Sequence, residues 1–183
     1  ALSLAPSNAN FRLIAGIYYL QSENKEAAIP HLKKYLELLP NEFSMLMELV
    51  TGRADRDMES LSDQVIAEQI IPENPKMLYE FATKYMSPDA STKRAVLTRA
   101  VEVLGKQAHS RREFTLLLGD IYLARGDWEK SIKEYGLALI SLPNDPKTRY
   151  KRAKLLFQSN RLDEALEEAT YLTSHDSQNS TYT

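Results

Sequence analysis

The chain has 183 residues, with 23 Lys and Arg against 25 Asp and Glu, for a formal net charge of −2 at neutral pH. That balance supplies no general field for duplex nucleic acid, and 43% hydrophobic with 26% charged residues is the make-up of a folded chain. Cysteine is absent, which excludes disulfide scaffolds, thiolate zinc sites and cysteine nucleophiles; no apolar run approaches the ~18 residues of a membrane-spanning helix.

Helical periodicity governs the chain from its N-terminal end. Six Gly and eight Pro leave long stretches in which apolar residues recur at helical spacing. Leu13, Ile17 and Leu20 fall on one face; in the second half Leu117, Leu118, Ile121 and Tyr122 do the same. Alternating strand patterns and Asn-Gly or Asp-Gly hairpin turns are missing, so the chain is expected to be all-α. A fixed period underlies the helices. The segment Asn10–Asn41 matches Glu113–Asn144, with Gly16-x-x-Tyr19 against Gly119-x-x-Tyr122. A small residue stands twelve positions after each Gly, at Ala28 and Ser131, and each segment closes in Leu-Pro-Asn, at Pro40 and Pro143. Those matching positions lie about three periods of 34 residues apart.

This pattern resembles the tetratricopeptide repeat, a helix–turn–helix unit of about 34 residues. The resemblance implies a right-handed α-α superhelical solenoid of stacked repeats. In such a unit small residues sit where helix backbones approach closely, bulky residues fill the gaps beside them, and Pro ends the second helix. In chain order, residues 1–8 read as the end of a preceding repeat, with Ala1 and Pro6 on its closing signature. The first full repeat covers 9–42. The second covers about 41–74, with Met47, Ala67 and Pro72, but Glu48 stands where the Gly belongs. The third covers about 75–110, with Leu78, Phe81, Ala82 and Tyr85 and a lengthened turn at Pro88-Asp-Ala-Ser-Thr. The fourth, 112–145, matches best, through Leu118, Gly119, Tyr122, Trp128, Tyr135, Ala138 and Pro143. The fifth, 146–179, has Ala153, Leu156, Leu162 and Ala165, yet Arg149 and Arg152 occupy normally apolar positions. Residues 180–183 read as a tail or the start of another repeat. The two ends suggest a piece of a longer array, whose uncapped ends would be free to pair two copies as a homodimer.

No catalytic constellation stands out. His31, His109 and His175 lie in three different repeats at no metal-ligand spacing, and the Gly-rich phosphate loops and nucleophile elbows are absent. Asp55, Asp57 and Glu59 alternate with Arg53 and Arg56 and read as a solvated helix start. Gly126-Asp127 is repeat punctuation, and Trp128 after it reads as packing. No enzyme activity, cofactor or metal site is expected.

Binding remains. By the resemblance, first helices of successive repeats line a concave groove, which here holds Leu13, Ile17, Leu20, Met45, Leu49, Tyr79, Met86, Leu116, Asp120, Leu123, Tyr150, Lys154 and Phe157. The groove is expected to be mainly apolar, gaining charge at Asp120 and Lys154, and to hold a protein or peptide segment. The carboxylate clamp found in some relatives of this family needs Lys and Asn where Leu13 and Ile17 stand, so acidic C-terminal tails are not expected through that device. A basic run, Lys147, Arg149, Lys151, Arg152 and Lys154, suits an acidic peptide, a phosphate or single-stranded RNA, or else is simply a solvated face. Against the chain's slight acidity, nucleic acid is not the expected partner. The alternative role is a spacer or assembly module of a larger protein, such as a bacterial envelope, secretion or polysaccharide system. Cytoplasm and periplasm both stay open.

Overall fold

Asparagines start several of the helices. The Asn8 side chain accepts from the backbone N–H groups of Asn10 and Phe11, Asn24 from Ala27, and Asn74 from Lys76 and Met77. Each satisfies amide donors that the first helical turn leaves open, an effect of about 1 kcal/mol per cap. The computed structural model describes residues 8–51, 61–86, 91–106 and 112–175. The described residues are predominantly helical and contain no strand, as the periodicity requires. Residues 1–7, Arg53 to Glu59, Pro88 to Ala90, His109 and residues 176–183 lie outside the described residues.

The chain divides into two compact units, Ala1–Val103 and Leu104–Thr183. The first unit holds α1 (Ala9–Gln21), α2 (Lys25–Leu38), a 3-10 turn (Pro40–Glu42), α3 (Phe43–Val50), α4 (Asp63–Val65) and α5 (Pro75–Glu80), with most of α6 (Ser91–Lys106). Helix α4 runs on into a π-helical turn at Ile66–Ile70 and α5 into another at Phe81–Tyr85. The second unit holds α7 (Arg112–Arg125), α8 (Trp128–Ser141), α9 (Pro146–Gln158) and α10 (Leu162–His175).

The period seen in sequence recurs in backbone geometry. Glu23, Gly126 and Asn160 all have positive φ, at 56°, 80° and 58°. Each sits in the turn between the two helices of a pair. The residue after each donates its N–H five positions back: Asn24 to Tyr19, Asp127 to Tyr122 and Arg161 to Leu156. Gly takes this left-handed conformation freely and Asn tolerates it, whereas Glu23 carries some strain.

Close helix contact explains the two matched glycines. A Cβ on Gly16 would collide with the Leu32 side chain, and one on Gly119 would stand 2.6 Å from Cε1 of Tyr135. Beside Gly119, the buried Ser131 hydroxyl donates to its carbonyl oxygen at 2.8 Å, tying α8 to α7. Ala28 is the equivalent small residue of the first pair and is fully buried. The core of the second unit gathers Ile132, Tyr135, Leu155, Leu156 and Ala165 from α8, α9 and α10.

The second helix pair departs from the repeat pattern. Without a glycine at Glu48, α3 is short and buries Phe43, Leu46, Met47 and Val50, while Glu48 itself points to solvent. In the π-helical turn of α4, Ile71 N–H bonds to Ile66 O at 2.9 Å. In that register the Ala67 carbonyl would next meet residue 72, a proline with no N–H. The Arg99 guanidinium from α6 donates to the Ala67 oxygen instead. Trp128 does not pack as expected: it opens α8 and is 42% exposed, while Tyr135, two turns along, fills the core.

Candidate functional site

Helices α7 and α9 are the first helices of the two pairs in the second unit, and Lys151 Nζ of α9 reaches Asp120 Oδ1 of α7 at 2.7 Å. The same carboxylate accepts from the Tyr135 hydroxyl. Asp120 is therefore engaged by the protein itself. Leu116 is only partly exposed and packs against the core cluster. The remaining residues of the expected groove in this unit are open. Leu123 is 37%, Tyr150 40% and Phe157 67% exposed, and Lys154 is exposed as well.

Helix α9 separates its charges by face. Lys147, Tyr150, Lys154 and Phe157 share one side by i, i+3, i+7 and i+10 spacing. The opposite side carries Thr148, Leu155 and Leu156, all buried. Arg149 and Arg152 also turn inward, and both pair with Glu168 of α10, whose side chain is almost wholly buried. Arg149 further lies 3.6 Å over the ring of Tyr171 and donates from Nε to the Pro143 carbonyl. The basic run is thus not one stripe. Two arginines share the single carboxylate of Glu168, which offsets one of their two charges, and Lys151 pairs with Asp120, leaving Lys147 and Lys154 without an ion pair among the described residues.

In the first unit the expected groove residues divide differently. Leu13, Ile17, Leu49 and Tyr79 are half-buried and Met45 is exposed. Leu20 and Met86 are buried, so they form part of the core and cannot line an open surface as the sequence suggested. The exposed apolar stripe of α1 is instead Phe11, Ile14 and Tyr18. A helical wheel centred one residue later would have found it.

The ionisable groups show structural roles. Desolvation, and then the neighbouring Arg12 guanidinium, hold the His31 pKa below its usual range. The neutral ring stacks on Tyr19, and its Nδ1 accepts from Arg12 at 3.2 Å. Burial also raises the Tyr35 and Tyr122 phenols, with Glu42 and Glu134 respectively adding to the effect, so both stay protonated. Arg161 forks onto Glu164, whose pKa its hydrogen bond lowers. His175 stacks on Tyr171 at 4.0 Å. Among the described residues no group of three His or carboxylate side chains is placed to hold a metal ion, and no helix is long and apolar enough to cross a membrane.

Sequence comparison adds a family likeness to this geometry. The tetratricopeptide repeat profile matches residues 94–147 and 116–180, overlapping stretches that include all of α7 to α10. Residues 94–180, a little under half of the chain, match the tetratricopeptide repeat. It is also similar to the PEX5-related protein of Mus musculus, 26% identical over 152 residues, covering 76% of this chain and 27% of that protein. The PEX5-related protein of Homo sapiens is 27% identical over 157 residues, covering 76% of this chain and 24% of that protein. The chain therefore spans about a quarter of the length of these curated relatives. Tetratricopeptide repeats are generally a non-catalytic fold for protein–protein interaction, and the repeats here support a scaffold role of that general kind. The matched stretch contains α7 and α9, where the open apolar and basic side chains lie. Sequence reasoning missed Glu168 as the partner of Arg149 and Arg152. The signal available was its place on the inward face of α10, three residues after Ala165 and four before Leu172.

Proposed function

We propose that the chain is a non-catalytic scaffold that holds a segment of a partner protein against the open face of α7 and α9. One observation carries the reading: Leu123, Tyr150 and Phe157 keep 37%, 40% and 67% of their surface exposed on the first helices of adjacent repeats while the inward faces of both helices are packed. Fully burying a large apolar side chain is worth ~1.5–3 kcal/mol, so covering three that are already partly buried gains roughly 3–5 kcal/mol. Such a contact is weak alone and needs polar groups to set its orientation, as expected of a reversible scaffold.

The test is affinity capture with the wild-type chain beside a Tyr150→Asp/Phe157→Asp variant, both confirmed folded by circular dichroism. Both side chains are exposed, so the variant keeps its core. A partner retained by the wild type is expected to bind the variant at least about tenfold more weakly. Equal retention by both contradicts the reading and favours a spacer role.

A further inference from the structure

We infer that the segment held on α7 and α9 is acidic: a peptide with two carboxylates about 10 Å apart that bracket an apolar side chain. This rests on the groove reading above and adds the chemistry of the ligand. The reason lies in which cations the fold leaves unspent. Of five basic residues on α9, Arg149 and Arg152 are paired with Glu168 and Lys151 with Asp120. Lys147 and Lys154 are the two that remain without an ion pair among the described residues, and both are exposed. They stand two helical turns apart on one face, about 10 Å along the axis at 1.5 Å per residue. Tyr150 lies between them and Phe157 one turn beyond, both open to solvent.

A segment in polyproline II conformation rises about 3.1 Å per residue with three residues per turn, so carboxylates three residues apart share one face about 9 Å apart and reach both ammonium groups, with a side chain between them beside Tyr150. The acid that could have competed for these lysines, Asp120, is engaged by Lys151 and Tyr135. A nucleic-acid strand fits less well. Two unpaired cations neutralise about two phosphates, which gives weak binding with only a shallow salt dependence.

The experiment selects from a randomised octapeptide library displayed on phage, using the whole chain. The baits are wild type, Lys147→Glu/Lys154→Glu and Tyr150→Asp/Phe157→Asp, each checked for an unchanged melting temperature. The wild type is expected to enrich peptides with Asp or Glu three residues apart around Leu or an aromatic residue. Synthetic versions should bind the lysine variant about tenfold or more weakly, and the wild type less tightly as salt rises. The lysine variant itself should switch to enriching Lys- or Arg-containing peptides. Enrichment of uncharged or basic peptides on the wild type, lost in the aromatic variant, overturns the acidic ligand and leaves the groove reading standing. No enrichment on any bait overturns both. Tighter retention of a fluorescent oligouridylate than of any selected peptide, abolished by the lysine changes, overturns the acidic peptide in favour of RNA.

Discussion

Glu168→Ala should destabilise the protein by about 3–5 kcal/mol, the usual cost of breaking a buried ion pair from one side. Glu168 is 7% exposed, and its two carboxylate oxygens are divided between Arg149 and Arg152, whose side chains are 15% and 23% exposed. Removing the carboxylate leaves two guanidinium groups in a poorly solvated place between α9 and α10. Arg149 keeps its stacking on Tyr171 and its bond to the Pro143 carbonyl, so it cannot simply swing into water without losing those contacts as well. Replacing all three by leucine tests the cause. That variant removes the charges together with their desolvation cost and should recover stability to within about 1 kcal/mol of wild type. Urea unfolding followed by circular dichroism reads both. A Glu168→Ala protein within about 1 kcal/mol of wild type would contradict the buried pair.

The next largest effect is at Gly119. Gly119→Leu is expected to cost about 3 kcal/mol, a fall in melting temperature of roughly 6–12 °C for a chain of this size. A Cβ there would stand 2.6 Å and 2.8 Å from two ring carbons of Tyr135. That ring is fully buried, and its hydroxyl is tied to Asp120, which also holds Lys151. Moving the ring would disturb all three. Even Gly119→Ala should destabilise, although alanine gains about 1 kcal/mol of helix propensity over glycine. Gly16 is the matching position of the first pair. Its added Cβ would meet Cδ2 and Cγ of Leu32, which is fully buried, so Gly16→Ala should destabilise as well, through an aliphatic chain instead of a hydrogen-bonded ring. A Gly119→Leu melting temperature equal to wild type would contradict the close packing of α7 on α8.

The repeat was legible because it is written in positions with strict steric demands. Gly16 and Gly119 sit where a Cβ collides, Ala28 and Ser131 where only small side chains fit, and Pro40 and Pro143 follow the ends of second helices. Such positions tolerate few residues, so they stand out in a single sequence. The π-helical turn at Ile66–Ile70 did not, because it involves a proline at 72 with no N–H and an arginine at 99 that takes the freed Ala67 carbonyl. The basic run on α9 misled for a similar reason. Local spacing shows five cations, but whether each is free depends on Glu168, 16 and 19 residues away, and on Asp120 of another helix. Leu20 and Met86 show the same limit on the apolar side. Their register fits a groove, yet they are buried in the first unit. Exposure is a property of neighbours, and α7 with α9 is where the expected register and the open surface coincide best.

The most direct test of a partner held by the first helices is site-specific photo-crosslinking in cells of the source organism. A benzophenone side chain would replace Phe157 on α9 in one protein and Ile140 on α8 in another. Both positions are strongly exposed, at 67% and 75%, so each can report on what covers it. A single partner crosslinked from Phe157 and absent from Ile140 is the predicted result. Crosslinks from Ile140 with none from Phe157 would place the interaction on the second helices and contradict it.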